Sequence, residues 1–146
     1  MENKTISQMF FNTVDKYSDK NLYYYKSDNK WIGVNGGEVK DTVQSLVKSL
    51  YSSGITAKDN LGILSTNSPL WAMSDYAIIC SGCTTVTIYP TLIASQIKYI
   101  LNDSDTKLLF VQDTEQLEKI LSIWSECLNL LDIIVLDNSY SGEDEK

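Results

Sequence analysis

The sequence predicts an α/β fold with three layers, in which a mainly parallel sheet of about four to five strands is flanked by helices. A helix and a small β-hairpin precede this sheet. From residue 60 onward, short and nearly continuous apolar runs alternate with longer helical patterns, as buried parallel strands alternate with crossover helices. Before residue 60, apolar residues recur at helical spacing or surround a polar turn.

The first predicted element is a helix over residues 6–17. Thr5, with Gln8 three residues later, forms the pattern of a capping box, in which side chains satisfy free backbone N–H groups at a helix start. One face of this helix is apolar, and it comprises Ile6, Met9, Phe10, Val14 and Tyr17. We therefore expect the helix to bury that face.

A hairpin and a second helix follow. Residues 22–25 and 30–34 are short strand-like runs on either side of a polar turn, the pattern of two paired strands. Asn35 with Glu38 repeats the capping-box spacing, and an amphipathic stripe then runs as far as Gly54. Glycine is favoured immediately after a helix, so we expect the second helix to end there.

Four apolar runs predict the strands of the sheet, and three longer stretches predict the helices between them. The runs show little polar alternation, which indicates strands covered on both faces. Helices of this length between them predict right-handed crossovers. The predicted strands are residues 61–64, 84–88, 108–111 and 133–136. The predicted helices are residues 69–81, 94–102 and 114–128.

These elements predict one domain over residues 1–137. Residues 138–146 are polar and acidic and show no periodicity, so we expect a linker or tail there.

The N-terminus has no apolar run of about 7–15 residues as in a secretory signal, and no stretch approaches the roughly 18 residues of a membrane span. Three cysteines, an odd number, fit reduced thiols inside a cell. We therefore expect a cytoplasmic protein.

Charge and composition exclude several kinds of partner and chemistry. The 146 residues contain 19 Asp and Glu, 12 Lys, no Arg and no His, for a net charge of −7. Nucleic-acid binding depends on clustered Lys and Arg, so we expect no nucleic-acid partner. The chain also lacks the usual general base near neutral pH and the usual bidentate ligand of phosphate.

Cys80 and Cys83 form a C-x-x-C pattern. A redox pair needs a thiolate stabilised by a helix N-terminus, whereas this pair lies at the end of a predicted helix, where the macrodipole is negative. We interpret both as small packed residues around Gly82. Cys127 is the one further cysteine, and structural zinc sites need four ligands, so no metal site is expected.

Two glycine-containing segments and three carboxylates are weaker candidates. Residues 33–37 lack the spacing of a phosphate loop, and residues 52–54 lie at a helix C-terminus, whose carbonyls repel phosphate. Asp75, Asp103 and Asp105 are interpreted as solvated or turn residues rather than catalytic groups. The sequence therefore predicts no catalytic and no cofactor-binding residue in this chain.

Tyr89, Pro90 and Thr91 are candidate substrate-proximal residues. They follow the carboxyl end of a predicted parallel strand, and α/β sheets place ligands at that end. A turn fixed by the proline explains the same three residues. Both interpretations stay open from the residues alone.

Four segments, taken in order, resemble a known family. They read DNLGILS at 59–65, NSPLWA at 67–72, SGCTTVTIYPT at 81–91 and QIKYILNDS at 96–104. In this order and spacing they resemble the amino-terminal part of AMP-forming acyl-CoA synthetases, and specifically the long-chain fatty acid CoA ligase branch of the adenylate-forming, AMP-binding enzymes. The resemblance extends from about Phe10 to Asp137.

The resemblance implies a parent enzyme that is an acid–thiol ligase. Such ligases use ATP and Mg²⁺ to convert a carboxylic acid to an acyl adenylate, release pyrophosphate, and pass the acyl group to the thiol of coenzyme A. Their phosphate loop, ribose-binding acid, metal site and mobile lysine lie downstream of the resembling region. The resemblance also implies that Tyr89, Pro90 and Thr91 lie on the substrate-facing side of the sheet.

We therefore expect a scaffold fragment that is inactive alone and has the remaining subdomains of the ligase as partners. Apolar surface left exposed in isolation predicts self-association, and the resemblance implies peripheral membrane contact only for the full-length enzyme. Two alternatives remain: a free-standing flavodoxin-like binding module, and a structural or dimerisation domain without a ligand.

Overall fold

A computed structural model describes residues 5–137, and it places them in two units. The first unit contains residues 5–59 and 67–84, and the second contains residues 60–66 and 85–137. Helix and hairpin elements come first and are followed by alternating strands and helices, as the sequence predicts. The predicted acidic tail, residues 138–146, lies outside the described residues.

Three helices form most of the first unit: α1 (Ile6–Lys16), α2 (Gly36–Ser52) and α3 (Pro69–Cys80). Each follows a polar residue whose side chain accepts a hydrogen bond from a backbone N–H in the first turn, which satisfies one of the free donors of the helix start. These residues are Thr5, Asn35 and Ser68. The two capping patterns read from the sequence, at Thr5 and Asn35, therefore mark real helix starts.

These three helices pack against one another. Of the predicted apolar face of α1, Phe10 and Val14 are buried, whereas Ile6 and Met9 are exposed. The ring of Phe10 on α1 stacks on that of Tyr76 on α3, with centroids 4.4 Å apart. The buried apolar residues of this cluster are Phe10, Val14, Val39, Val43, Met73 and Ala77. Removal of their surface from water stabilises the unit.

The predicted hairpin is also present in the first unit. Strand β1 (Asn21–Ser27) pairs antiparallel with β2 (Lys30–Asn35). The two turn residues, Asp28 and Asn29, both have positive φ angles, and a two-residue hairpin turn of this kind favours Asp and Asn at those positions. The turn chemistry in the sequence thus fixes the register of the two strands.

The second unit is built on a parallel sheet of four strands in the order β4-β3-β5-β6. The strands are β3 (Asn60–Leu64), β4 (Thr84–Ile88), β5 (Thr106–Val111) and β6 (Asp132–Val135). Strand β5 pairs in parallel with β3 on one side and with β6 on the other. The predicted fold class is confirmed, and the number of strands is four.

Two helices pack on this sheet, α4 (Ala94–Asp103) and α5 (Thr114–Leu121). Their buried side chains form one cluster with apolar residues of the strands and of the segment after α5. From the helices come Ile97, Leu101, Leu117 and Ile120, and from the strands Leu64, Ile88, Leu109 and Val111. Apolar packing of this kind closes each crossover onto the sheet.

The predicted helix over residues 114–128 is wrong in its extent. Helix α5 ends at Leu121, and a short 3-10 helix follows at Trp124–Glu126. The Ser122 hydroxyl donates to the Lys119 carbonyl at 2.7 Å, and such local side-chain bonds compete with a continuing helix. The pattern was misleading because Ile123, Cys127 and Leu130 are all buried at a spacing that also suits a helix.

Candidate functional site

The carboxyl ends of the four strands in the second unit form the candidate site. Ser65 follows β3, Tyr89 follows β4, Gln112 follows β5 and Leu136 follows β6. Because the strands are parallel, these ends lie in one row at the same end of the sheet, which we call its carboxyl edge. Ligands of open α/β sheets bind at this edge.

The three candidate residues lie together in the loop that connects β4 to α4. Tyr89 is 77% exposed and Thr91 is exposed as well, whereas Pro90 is half-buried. The N–H of Leu92 donates to the Tyr89 carbonyl at 3.1 Å and closes a turn. The loop therefore presents one aromatic ring and one hydroxyl at the carboxyl end of β4.

This loop enters α4 without a polar cap. Ile93 occupies the N-cap position and makes no side-chain hydrogen bond to the helix. The Gln96 side-chain oxygen accepts a long bond of 3.3 Å from the Ile93 N–H. A position usually taken by Ser, Thr, Asp or Asn thus holds an exposed apolar residue, and the loop needs support from elsewhere.

That support comes from α5, through the Lys119 bridge. We use this name for the hydrogen bonds from the Lys119 Nζ to the carbonyl oxygens of Pro90 at 2.8 Å and Leu92 at 3.3 Å. The same Nζ donates to the Gln116 side-chain oxygen at 2.9 Å. Sequence reasoning missed this lysine, because the bridge joins residues 29 and 27 positions apart.

A second set of contacts joins the ends of β3 and β5. The Gln112 side-chain oxygen accepts from the Thr66 N–H at 2.8 Å and from the Thr66 hydroxyl at 2.6 Å. The Gln112 amide then donates to Asp113 at 2.8 Å, and Asp113 caps α5 by accepting from the Gln116 N–H at 3.0 Å. Polar residues within two positions of the ends of two buried strands were the available sequence signal for this network.

The groups at this edge suit binding and positioning. The residues named above contribute hydroxyls, amides, an aromatic ring and a lysine that donates to three neutral oxygens. Within residues 5–137, no group of three or more Cys, Asp or Glu side chains could hold a metal ion.

Cys80 and Cys83, the C-x-x-C pair, pack as small structural residues at the end of α3. Neither Cys80 nor Cys83 forms a disulfide, and Gly82 between them has a positive φ of 75°, which suits a helix end. Burial raises the pKa of the Cys80 thiol, and a hydrogen bond with Ser7 opposes that effect in part. The Cys83 Sγ donates to the Thr56 carbonyl at 3.3 Å. A raised thiol pKa disfavours the reactive thiolate.

The glycine segment at 33–37 does not offer a phosphate cradle. The N–H of Gly36 donates to the Lys20 carbonyl at 3.0 Å, and the N–H of Gly37 donates to the Ser18 carbonyl at 2.9 Å. The next N–H, that of Glu38, donates to the Asn35 side chain at 2.9 Å. The donors that an anion needs at a helix start are therefore already used.

The remaining weak candidates lie where the sequence suggests. Gly54, with a φ of 81°, follows the end of α2. Asp105 is a turn residue with a φ of 49°, and it accepts a hydrogen bond from Asn129 at 2.8 Å. Asp103 ends α4 and Asp75 lies in α3.

Across residues 5–137, no helix is both long and apolar enough to cross a bilayer.

Comparison with known proteins gives one family and a consistent set of relatives. Residues 10–146 match the family model described as AMP-binding enzyme. The long-chain-fatty-acid–CoA ligase ACSBG1 of Rattus norvegicus is 28% identical over 131 residues, which cover 90% of this chain and 18% of the relative. The long-chain-fatty-acid–CoA ligase FadD15 of Mycobacterium bovis is 31% identical over 111 residues, which cover 76% of this chain and 18% of the relative.

Solved structures share the fold. The anthranilate CoA ligase AuaEII, in complex with anthranoyl-AMP, superposes with a TM-score of 0.80 at 21% identity and covers 90% of this chain and 25% of that one. The long-chain-fatty-acid-CoA ligase FadD1 of Archaeoglobus fulgidus gives a TM-score of 0.80 at 19% identity, with coverages of 97% and 28%. The chain thus spans about a fifth to a quarter of the proteins just named.

Proposed function

Because the chain belongs to the AMP-binding enzyme family, we propose that residues 1–137 serve as the amino-terminal scaffold of a long-chain fatty acid CoA ligase. In the reaction of the whole protein, a fatty acid carboxylate attacks the α-phosphorus of ATP, and pyrophosphate leaves. The thiol of coenzyme A then attacks the acyl carbonyl and AMP leaves. ATP, coenzyme A and Mg²⁺ are thus substrates and cofactor of the whole protein.

The observation that supports this proposal is the extent of the match. It covers 90% of this chain in ACSBG1 and 76% in FadD15, and both relatives are named long-chain-fatty-acid–CoA ligases. The match includes both units of the structure, because the family model begins at residue 10 and runs through all later residues. A sheet with its helices is a framework on which site residues are mounted.

At the start of α2, and among clusters of acidic side chains, the described residues offer no site for a triphosphate or its metal ion. The donors at the start of α2 are used by Lys20, Ser18 and Asn35, and no cluster of metal ligands occurs in residues 5–137. The chain also has no arginine. We therefore assign the triphosphate and Mg²⁺ to the remaining subdomains of the ligase, which are the partners of this chain.

Within the scaffold, we assign the loop of Tyr89, Pro90 and Thr91 to the substrate side. It lies at the carboxyl end of β4, and its Tyr and Thr side chains are exposed, so that both are free to contact an acyl or adenylate group.

We also place the protein in the cytoplasm. None of its three cysteines forms a disulfide, in keeping with a reducing compartment.

The test is a chimera of FadD15 from Mycobacterium bovis in which the matching segment is replaced by that of this chain. We expect the purified chimera to form acyl-CoA from a long-chain fatty acid, ATP, Mg²⁺ and coenzyme A. The 146-residue chain alone is expected to form none. A second chimera, carrying Gly62→Leu in the buried strand β3, is the negative control, because a Cβ there lies 2.5 Å from the Leu109 side chain.

A titration separates the proposal from the two alternatives. Calorimetry of the isolated chain with ATP, an acyl adenylate analogue and FMN should show no binding tighter than about 100 μM, which corresponds to about −5.5 kcal/mol. A free-standing flavodoxin-like module predicts one micromolar ligand among the three. A structural or dimerisation domain predicts no ligand and also an inactive chimera.

A further inference from the structure

We propose that Lys119 is a positioning residue that holds the Tyr89–Thr91 loop at the carboxyl edge of the sheet and thereby sets how the ligase receives its fatty acid. This inference rests on the proposed function for the role of the loop. The bridge itself rests on geometry alone, namely the bonds from Nζ to the carbonyls of Pro90 and Leu92.

The ammonium group of Lys119 is matched to its surroundings. A lysine has three N–H donors, and three oxygen acceptors surround this Nζ at 2.8, 2.9 and 3.3 Å. The acceptor outside the loop is the side chain of Gln116, a buried residue one turn earlier on α5. Gln116 therefore orients the lysine, and the remaining two donors reach the loop.

The loop depends on this contact because its own capping is weak. Ile93 offers α4 no side-chain cap, and the Ile93 N–H is held by a bond of 3.3 Å to Gln96. Charged donors make stronger hydrogen bonds to carbonyls than neutral ones do. A polar N-cap orders a helix start by accepting from its N–H groups. Lys119 instead orders the loop before α4 by donating to the carbonyls of Pro90 and Leu92.

The contact also decides what the loop presents. The carbonyls of Pro90 and Leu92 are bound to Nζ, while the side chains of Tyr89 and Thr91 remain exposed. Loss of the bridge frees those carbonyls and lets the loop sample other orientations. Substrate contacts made by Tyr89 or Thr91 would then be lost in most of these orientations.

The first experiment measures amide hydrogen exchange in the 146-residue chain. In Lys119→Met, we expect the hydrogen-bonded amides of Leu92 and Ile93 to exchange at least tenfold faster. The matched control is Lys98→Met, which breaks the exposed pair with Glu126 at 2.6 Å and should leave both amides unchanged. Acceleration below twofold in Lys119→Met, or equal acceleration in the control, overturns the bridge.

Two further readouts keep the test decisive if Lys119→Met folds poorly. In the unsubstituted chain, acylation of surface amines should modify Lys119 at least tenfold more slowly than Lys48, which is exposed on α2; equal rates overturn the bridge. The variant Lys119→Arg keeps charged donors. It should bring the exchange of the Leu92 and Ile93 amides back to within threefold of the unsubstituted chain.

The functional readout uses the FadD15 chimera. We expect Lys119→Met to raise the KM for the fatty acid at least fivefold, with the KM for ATP within twofold, and Lys119→Arg to recover at least half of the loss. Faster loop exchange with an unchanged fatty acid KM overturns the positioning role. A chimera that is inactive with Lys119 in place counts against the proposed function and leaves the exchange result on the bridge standing.

Discussion

The side chain of Gln112 accepts two hydrogen bonds from Thr66, one from its N–H at 2.8 Å and one from its hydroxyl at 2.6 Å. Thr66 lies just after β3, and Gln112 directly follows β5, so this pair ties together the carboxyl ends of two neighbouring strands. It shapes the edge of the sheet to which we assign the substrate.

The pair predicts a measurable coupling between the two residues. We expect Gln112→Leu and Thr66→Val each to lower the free energy of unfolding by about 0.5–1 kcal/mol, the net worth of an ordinary hydrogen bond, because Thr66 is exposed and water can replace the lost partner. Urea denaturation of both single variants and the double variant forms a cycle. Strictly additive effects would contradict a direct interaction. Gln44→Leu on α2 serves as the control.

The start of α2 predicts contrasting effects at two adjacent glycines. A Cβ at Gly36 would press against the carbonyl oxygen of Tyr17 and lie 3.0 Å from that of Val14, both backbone atoms. A Cβ at Gly37 would lie 3.2 Å from the Asn35 side-chain oxygen and 3.4 Å from the Ser18 carbonyl oxygen, so a shift of a few tenths of an ångström is enough to accommodate it.

We therefore expect Gly36→Ala to destabilise the chain by about 1–3 kcal/mol, as overpacking does. Gly37→Ala should change stability by less than about 1 kcal/mol, since alanine also favours the helix. Thermal and urea unfolding of the two variants give the comparison. Equal losses in both would show that the close approach at Gly36 has no energetic consequence.

Cys80 predicts a pH profile for alkylation. Burial raises its pKa above the ordinary value of 9.0, so less than half of the thiol is ionised at pH 9, and the thiolate is the reactive form. In a Cys83→Ser, Cys127→Ser background, the iodoacetamide rate should still be rising above pH 9. The same variant in 8 M urea is the control and should level off at lower pH. If the alkylation rate of the folded variant levels off below pH 8, the redox interpretation of the C-x-x-C pair is supported instead.

The end of the second unit predicts self-association of the isolated chain. Leu128 and Leu131 lie in the segment just before β6, an outer strand of the sheet, and they are 80% and 70% exposed. Exposed apolar groups beside an unpaired strand edge favour association. Sedimentation velocity should show dimers or larger species at about 100 μM, and Leu128→Ser with Leu131→Ser should shift them toward monomer. Leu70→Ser on α3 is the control. Monomer throughout would refute the prediction.

The local elements of the fold could be predicted from sequence because their signals are local. The capping residues Thr5 and Asn35 mark helix starts within one turn of chain, and the Asp28–Asn29 turn sets the hairpin. Apolar runs without alternation correctly predicted four parallel strands. Each of these patterns depends on residues that are close in sequence.

The bonds that shape the candidate site could not be predicted, because they join distant residues. Thr66 and Gln112 are 46 positions apart, and Lys119 reaches Pro90 across 29. Only the fold brings them together. The extent of α5 was misjudged for a related reason: the spacing of buried residues after Leu121 fits a helix, and the shorter helix with its 3-10 turn buries the same side chains.

The central claim is that this chain is a working ligase scaffold whose catalytic groups lie in other parts of the whole protein. Acyl-CoA formation by the FadD15 chimera, measured beside the isolated chain, tests it most directly. We predict that the chimera has at least about a tenth of the kcat/KM of FadD15, which corresponds to a loss of no more than about 1.4 kcal/mol in transition-state stabilisation. We predict no product from the chain alone. A folded chimera without activity, or an isolated chain that makes acyl-CoA, would contradict the claim.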